Sequence, residues 1–261
     1  MWRKRYSGVE FLHTDPKGSR VPSPGITDAE VARVRAVYAR YAANPRKLAN
    51  WDVRNPGNAC MWEEFQEATL ALLTHEGIHL DGASFLDVGC GWGAILGWLA
   101  ERGAKPTKLY GVDLLEDRIA QARENYPDIN FSFGDARHLA FPNHFFDVIL
   151  CVNFFSSILD QTLAAAVAVE LQRVMKPTGI ITWCDLRYRN PWNPSVHAYT
   201  RQAIRRLFSG CRVVLRSITL LPPIARRLGP SAPVLYPMLA RIPLLCVRHH
   251  GVIRLNGATR P

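Results

Sequence analysis

From Ser84 onward, short apolar runs alternate with longer segments that place apolar residues every three or four positions. The runs predict strands at 84–88, 108–113, 129–133, 147–152 and 178–184. The longer segments predict helices at about 92–103, 115–125 and 160–174. Strands that alternate with helices of this length are typical of a parallel sheet wound with helices.

The chain before this region has a different pattern. Thr27 and Glu30 form a candidate capping box, and apolar residues follow at helical spacing from Val31 to Tyr41. Residues 48–61 read as a loop, and a second helix is predicted at 62–75. We expect residues 1–80 to form an N-terminal arm and helical lid, ahead of a main domain at 81–261.

The chain after Asp185 begins with a proline-rich loop, RYRNPWNP, and a predicted helix at about 196–208. Two β-rich runs, 211–220 and 244–255, are predicted to pair as an antiparallel edge hairpin. An insertion at 221–244, with a short apolar helix, separates them. The predicted fold is therefore α/β: a Rossmann-like, seven-stranded, mostly parallel sheet with an antiparallel edge hairpin.

Composition supports one globular unit, because 261 residues with 48% hydrophobic content can bury a sizeable core. Six cysteines occur without a C-x-x-C pair, so free thiols are expected. The basic N-terminus lacks an apolar leader segment, and the apolar stretch 232–247 is interrupted by prolines and Arg241. These features predict a cytoplasmic protein. They are compatible with peripheral membrane contact, in which the insertion from Pro222 to Pro243 would lie on an acidic membrane; the alternative is a helical cap that completes the core.

Charge is distributed unevenly along the chain. The formal net charge is +10, yet no Asp or Glu follows Asp185, and the last 76 residues hold thirteen arginines. Arginine forms forked hydrogen bonds to phosphate and carboxylate, so this third favours an anionic acceptor or surface. The alternative explanation of the arginine excess is base-composition bias in an arginine-rich genome.

The segment FLDVGCGWGAILGWLA carries the strongest chemical signal. A buried strand runs into Gly89, Gly91 and Gly93, and a helix opens behind them. Such glycines allow positive φ and close approach of a ligand at the carboxyl end of the strand. A glycine loop alone also suits NAD, FAD or a plain tight turn.

The order of the following motifs narrows this choice. The second strand ends in Asp113, the third in Gly134-Asp135-Ala136, and the fourth is FDVILCV. This order resembles the class I methyltransferases that depend on S-adenosylmethionine (SAM). The resemblance implies that Asp87, Gly89, Cys90 and Gly91 hold the methionine part of SAM. It further implies that Asp113 and Leu114 hold the ribose, that Asp135 and Ala136 hold the adenine, and that Asn153 lies near the reactive group.

Catalytic candidates lie after strands four and five. Asp185 closes the fifth strand and is the best candidate for a general base; the alternative is a turn cap or a pair with Arg187 or Arg189. His197, at the predicted start of the next helix, is a second candidate, with an ordinary surface histidine as the alternative.

The run DLRYRNPWNPSV and the insert PPIARRL resemble a subgroup of bacterial methyltransferases, many of them encoded near polysaccharide or natural-product assembly genes. This resemblance implies O-methylation of a sugar or glycan hydroxyl or a related polar metabolite. The alternatives are a natural-product methyltransferase and an RNA methyltransferase that uses the basic C-terminal third. The chain lacks a recognisable RNA-binding module, which disfavours nucleic acid.

A metal site is not predicted. His75 and His79 have zinc-compatible spacing but no third ligand nearby, and His249 and His250 point to opposite faces of a strand.

Overall fold

The structure is a computed structural model that describes residues 28–44, 50 and 52–257. Within these residues one sheet contains seven strands. They are β1 (Phe85–Val88), β2 (Leu109–Asp113), β3 (Asn130–Phe133), β4 (Phe146–Val152), β5 (Met175–Leu186), β6 (Cys211–Leu220) and β7 (Cys246–Leu255). Their order across the sheet is β3-β2-β1-β4-β5-β7-β6. The first five strands are parallel, and β7 runs antiparallel between β5 and β6.

The helices flank this sheet. They are α1 (Asp28–Ala42), α2 (Pro56–His75), α3 (Ala94–Glu101), α4 (Glu116–Asn125), α5 (Gln161–Val174), α6 (Arg201–Leu207), α7 (Pro222–Arg227) and α8 (Ala232–Leu239). The Rossmann-like α/β fold with antiparallel strands near one edge is therefore confirmed.

The sheet has an apolar cluster on each face. Neighbours in β1 alternate between them: Leu86 belongs to the cluster under α5 and α6, and Phe85 belongs to the cluster under α2, α3 and α4. All four residues of β1 are buried. Burial on both faces explains why the central strands read as continuous apolar runs instead of alternating ones.

The second helix begins earlier than the sequence pattern indicated. The prediction of a loop through Met61 was wrong, because α2 starts at Pro56. Proline suits the first turn of a helix, where its missing N–H has no intrahelical partner. The Asn55 side chain caps the helix by accepting hydrogen bonds from the Gly57 and Asn58 amides, at 2.9 and 3.3 Å.

The helix predicted at 196–208 begins later, at Arg201. Thr200 is its N-cap, and the Thr200 hydroxyl accepts from the Ala203 amide at 3.2 Å. Residues before this cap form the connection that follows β5. The partner that the capping box requires, Thr27, lies outside the described residues, whereas Glu30 lies in the first turn of α1.

The region before the sheet contains two helices with different positions. α2 packs on the sheet through Phe65 and Ala68, which contact Cys184 and Ile218. α1 instead lies beside the carboxyl ends of the strands, where it contributes to the cavity described below. The division into 1–80 and 81–261 stays a prediction.

Candidate active site

A cavity opens at the carboxyl ends of the parallel strands. The chain segments that follow β1, β2, β3 and β4 form its floor and sides, and α1 forms a further wall. Six of the nine residues that the SAM resemblance pointed to line it: Gly89, Asp113, Leu114, Asp135, Ala136 and Asn153. Ligands of open α/β sheets bind at this edge.

The glycine loop has the backbone that its sequence predicts. Gly89, Gly91 and Gly93 all have positive φ, at 71°, 55° and 79°. A Cβ atom on Gly89 would lie 2.8 Å from the Phe154 ring. Glycine is therefore required at position 89 both by the backbone angle and by the close approach of a side chain that borders the cavity.

Asp113 presents an acceptor set that suits a pair of hydroxyls. One carboxylate oxygen accepts from the Gly91 amide and the other from the Leu115 amide, each at 2.9 Å. Because each carboxylate oxygen can accept about two hydrogen bonds, both oxygens retain one free lone pair. Burial raises the pKa of Asp113, and the Arg118 charge partly opposes that shift.

The Asp135 carboxylate accepts more hydrogen bonds from within the protein than the sequence indicated. Oδ1 accepts from the Arg137 amide at 2.9 Å, and Oδ2 accepts two bonds from the Arg137 guanidinium. By the same lone-pair count, Oδ1 alone keeps room for one more donor. An adenine amine would therefore meet a carboxylate that Arg137 already holds in place.

Asp87, Cys90 and Gly91 do not line the cavity directly. Asp87 is 1% exposed, and its Oδ2 has no hydrogen-bond partner among the described residues. Burial, reinforced by the charge of Asp113, raises the Asp87 pKa well above its usual range. The Cys90 thiol points under the loop toward Gly111, and Gly91 contributes only through its amide on Asp113.

Polar contacts hold α1 over the cavity. The Tyr38 hydroxyl lies 2.8 Å from the Ser157 hydroxyl, and an Arg33 nitrogen donates to the Ser157 carbonyl at 2.5 Å. The Leu159 amide donates to Glu30 at 3.0 Å. We refer to these three contacts, between α1 and residues 157–159, as the α1 clasp. Any ligand that enters the cavity from this side must displace or pass the clasp.

Arg118 is a charged group inside this wall. Its guanidinium carbon lies 4.2 Å from the ring centroid of Tyr38 and 4.8 Å from that of Trp92. Stacking between two aromatic rings fixes the cation while leaving its N–H edge available. It is therefore a positive group placed close to Asp113 in the same cavity.

The structure does not place Asp185 where a general base would act. Asp185 is 1% exposed and does not line the cavity. Its two oxygens accept from the Ser156 and Leu186 amides, both at 2.8 Å. Its pKa is raised, because burial outweighs these hydrogen bonds. The carboxylate braces the turn after β4, so the turn-cap alternative describes it better than catalysis does.

His197 is also outside the cavity lining. It is exposed, its amide donates to the Ser156 carbonyl at 2.8 Å, and its ring packs edge-on against Tyr199. The expected position at a helix start was wrong, since Thr200 caps that helix. The ordinary surface histidine is therefore the better description of His197.

Among the described residues, no group of three or more Cys, His, Asp or Glu side chains could hold a metal ion. His249 and His250 are both buried in β7. Burial is the largest cause that lowers their pKa values, to about 4 and about 3.

Sequence reasoning did not identify several residues that border the cavity. Tyr38 was predicted to lie on a helix, but its long-range contact with Ser157 has no local signature. Arg118 and Arg137 were not singled out at all. The two-residue spacing of Asp135 and Arg137 was the available signal for their pair.

Comparison with known proteins agrees with this geometry. Residues 85–179 match a family described as a methyltransferase domain. A phthiotriol/phenolphthiotriol dimycocerosates methyltransferase of Mycobacterium ulcerans is 33% identical over 121 residues, which cover 43% of this chain and 41% of the relative. A fatty-acid O-methyltransferase of Mycolicibacterium smegmatis is 36% identical over 112 residues, 42% of this chain and 39% of the relative. The chain thus spans about two fifths of the length of these relatives.

Solved structures share the fold. A SAM-dependent methyltransferase from Methanosarcina mazei superposes with a TM-score of 0.53 at 19% identity, covering 70% of this chain and 97% of that one. One from Mesorhizobium loti has a TM-score of 0.53 at 18% identity, covering 72% and 98%. Residues 85–179 thus match a methyltransferase-domain family, and the glycine loop and the positions of Asp113 and Asp135 agree with that match. The solved structures show that the fold is shared.

Proposed function

We propose that this chain transfers the methyl group of SAM to an oxygen atom of an acceptor that binds under α1. The observation that carries the proposal is the cavity that gathers Gly89, Asp113, Asp135 and Asn153 at the carboxyl edge of the sheet. The family of residues 85–179 supports the same cofactor.

The residues present suit SAM. Asp113 retains one acceptor site on each oxygen, which matches the two ribose hydroxyls, and Asp135 with Ala136 would hold the adenine. The unpartnered Oδ2 of Asp87 lies in the strand that leads into the glycine loop, the side expected to hold the methionine amine. When bound, SAM supplies an electrophilic methyl group on a sulfonium.

The titratable groups in the cavity lining limit which kind of acceptor can react. Glu30 is paired with Arg33, Asp135 is paired with Arg137, and Asp113 faces the cofactor side. Burial raises the pKa of Tyr38, so its hydroxyl stays neutral. Within the described residues, the lining therefore offers no free imidazole or carboxylate to deprotonate an alcohol.

This supports an acceptor oxygen that is already anionic near neutral pH. A carboxylate needs no general base, so positioning and exclusion of water suffice for in-line transfer. Val31, Val34 and Ile158 give the wall an apolar character, and Arg118 offers a cation. The relative named as a fatty-acid O-methyltransferase supports the same class, a carboxylate on an apolar chain.

The second candidate is the sugar or glycan hydroxyl. The loop after β5 exposes Tyr188 by 40% and Trp192 by 87%, and flat aromatic faces of this kind suit a sugar ring. A sugar hydroxyl has a high pKa and benefits from a base. This reaction would therefore require a base from outside the described lining.

An acceptor panel tests the proposal. Purified protein with labelled SAM is assayed against a fatty acid, the fatty alcohol of equal chain length, free sugars, glycans and RNA. We expect turnover of the fatty acid, with kcat/KM nearly constant between about pH 6 and 9 because the carboxylate is ionised throughout. The matched alcohol should react at least about 100-fold more slowly, the contribution typical of a missing general base.

Preference for a sugar, or a rate that rises with pH and favours the alcohol, would overturn the carboxylate acceptor. Turnover of RNA alone would overturn both the carboxylate acceptor and the sugar or glycan acceptor. Failure of SAM to bind at all would overturn the methyltransferase proposal itself.

A further inference from the structure

The insertion between β6 and β7 presents an apolar face to the outside. Val234 and Met238 on α8, and Leu244 just beyond it, are 69%, 61% and 75% exposed. The inner side of α8 is apolar too, since Ala232 and Tyr236 are buried and Tyr236 packs with Leu220 and Ala225. A helix that is apolar around its whole circumference is normally covered on all sides.

Contacts with α2 hold the insertion in place. The Tyr236 hydroxyl donates to Glu64 of α2 at 2.7 Å, and Arg226 donates to the Asn58 side chain at 3.0 Å. A Cβ on Gly57 would lie 2.0 Å from the Ala225 carbonyl oxygen, so α2 and α7 are in backbone contact. The outward apolar face is therefore preformed, which lowers the entropic cost of binding.

The charges that the insertion itself carries have one sign. Arg227 and Arg241 are exposed on either side of α8, and the chain contains no Asp or Glu after Asp185. Arginines that flank an exposed apolar helix are a combination that binds anionic lipid headgroups and the acyl boundary below them.

Charge also disfavours two other partners for this face: the N-terminal residues of the same chain and a second copy of the protein. Residues 1–27 carry five basic and two acidic side chains, so they would meet the arginines with like charge. A second copy on a two-fold axis would bring the same patch, with its arginines, against itself. An anionic bilayer supplies both the apolar layer and the negative charge.

We propose that the α8 face, formed by Val234, Leu235, Met238, Ile242 and Leu244, binds the surface of an anionic lipid bilayer. Arg227 and Arg241 lie at the level of the headgroups in this complex, and the apolar side chains enter the acyl boundary. The contact is interfacial; among the described residues no helix is long and apolar enough to cross a membrane.

A short loop links this face to the cavity wall. Arg187, at the start of the loop after β5, donates to the Pro243 carbonyl at 2.9 Å. Asn193, in the same loop, donates to the Tyr41 hydroxyl of α1 at 2.8 Å. Binding at the α8 face therefore places the membrane surface one loop away from the helix that covers the cavity.

Vesicle flotation tests the proposal with the full chain. Vesicles of phosphatidylcholine alone are compared with vesicles that contain one third phosphatidylglycerol. We expect the protein to float with the anionic vesicles only. The triple variant V234S/M238S/L244S should lose at least tenfold in partitioning, whereas V169S, which alters a residue of α5 exposed by 67%, should not.

The arginines have a matched control as well. R227Q/R241Q should weaken partitioning about 25-fold, since each arginine near an anionic surface contributes about 1 kcal/mol. R212Q/R205Q removes the same charge from exposed positions outside the α8 face and should change partitioning by less than about threefold. Unchanged SAM affinity confirms that each variant is folded and separates this test from that of the proposed function.

Four results would overturn the proposal. The wild-type protein fails to float with anionic vesicles, or the triple variant floats as well as the wild type. Alternatively, sedimentation shows a dimer that the triple variant abolishes, which assigns the face to a second copy. Filter binding of RNA that is lost in R227Q/R241Q, without vesicle binding, assigns the arginines to nucleic acid.

Discussion

Replacing Tyr38 by phenylalanine removes one hydroxyl from the α1 clasp and leaves the ring that stacks with Arg118 in place. The lost contact is the 2.8 Å hydrogen bond to the Ser157 hydroxyl. A partly buried neutral hydrogen bond contributes about 1 kcal/mol net, and 1.4 kcal/mol is a factor of ten in an equilibrium. The open position of α1 should therefore become about fivefold more populated.

Stopped-flow displacement of bound SAM measures this effect, because release through the α1 side requires the clasp to open. We expect Y38F to release SAM about fivefold faster than the wild type. S157A should do the same, and the double variant should add little, because either single change already removes the bond. Unchanged release in Y38F, or full additivity of the two variants, would refute the role assigned to this contact.

Three further perturbations probe the rest of the site. G89A should weaken SAM binding at least tenfold in calorimetry, because its φ of 71° is unfavourable for alanine and the new Cβ meets Phe154; a change below twofold would contradict this. D185N should lower thermal stability by about 1–3 kcal/mol, because its amide faces a backbone N–H, while the pH profile of kcat keeps its shape. In the folded protein the pKa values of His249 and His250 are about 4 and about 3, below the usual 6.5. As the pH falls from 6.5 toward 4, the unfolded chain therefore binds protons that the folded protein does not, and the free energy of unfolding decreases. H250Q should therefore reduce the slope of unfolding free energy against pH by about 1.4 kcal/mol per unit over that range in urea titrations; an unchanged slope would mean that His250 titrates normally.

The parts of the fold that local patterns determine were predictable. β1 and the loop behind it combine a buried strand with glycines that need positive φ, and this signature needs no distant partner. The antiparallel pairing of β6 with β7 was predicted, and it is confirmed. Helix starts were less secure, because Pro56 reads as a breaker in sequence yet occupies the first turn of α2.

Long-range placement decided the remainder of the site. Nothing near Asp185 in the sequence reveals that its Oδ2 accepts from the Ser156 amide, 29 positions away. The same holds for α1, whose apolar spacing predicts a helix but not its contact with residues 157–159. A side chain at the end of a strand can enter the ligand cavity or brace the neighbouring loop, and only the packing of that loop distinguishes the two.

The position of β7 between β5 and β6 has a consequence for synthesis of the protein. Within the part of the chain that the structure describes, β6 lies at the edge of the sheet and pairs only with β7, along Cys211–Leu220. During translation β6 therefore emerges without a partner, and the flank of β5 also stays open until residues 246–255 have left the ribosome. Open strand flanks invite pairing with other chains, so the nascent protein should depend on chaperones during this interval. A ribosome that stalls within the insertion would leave the most aggregation-prone form of the chain exposed.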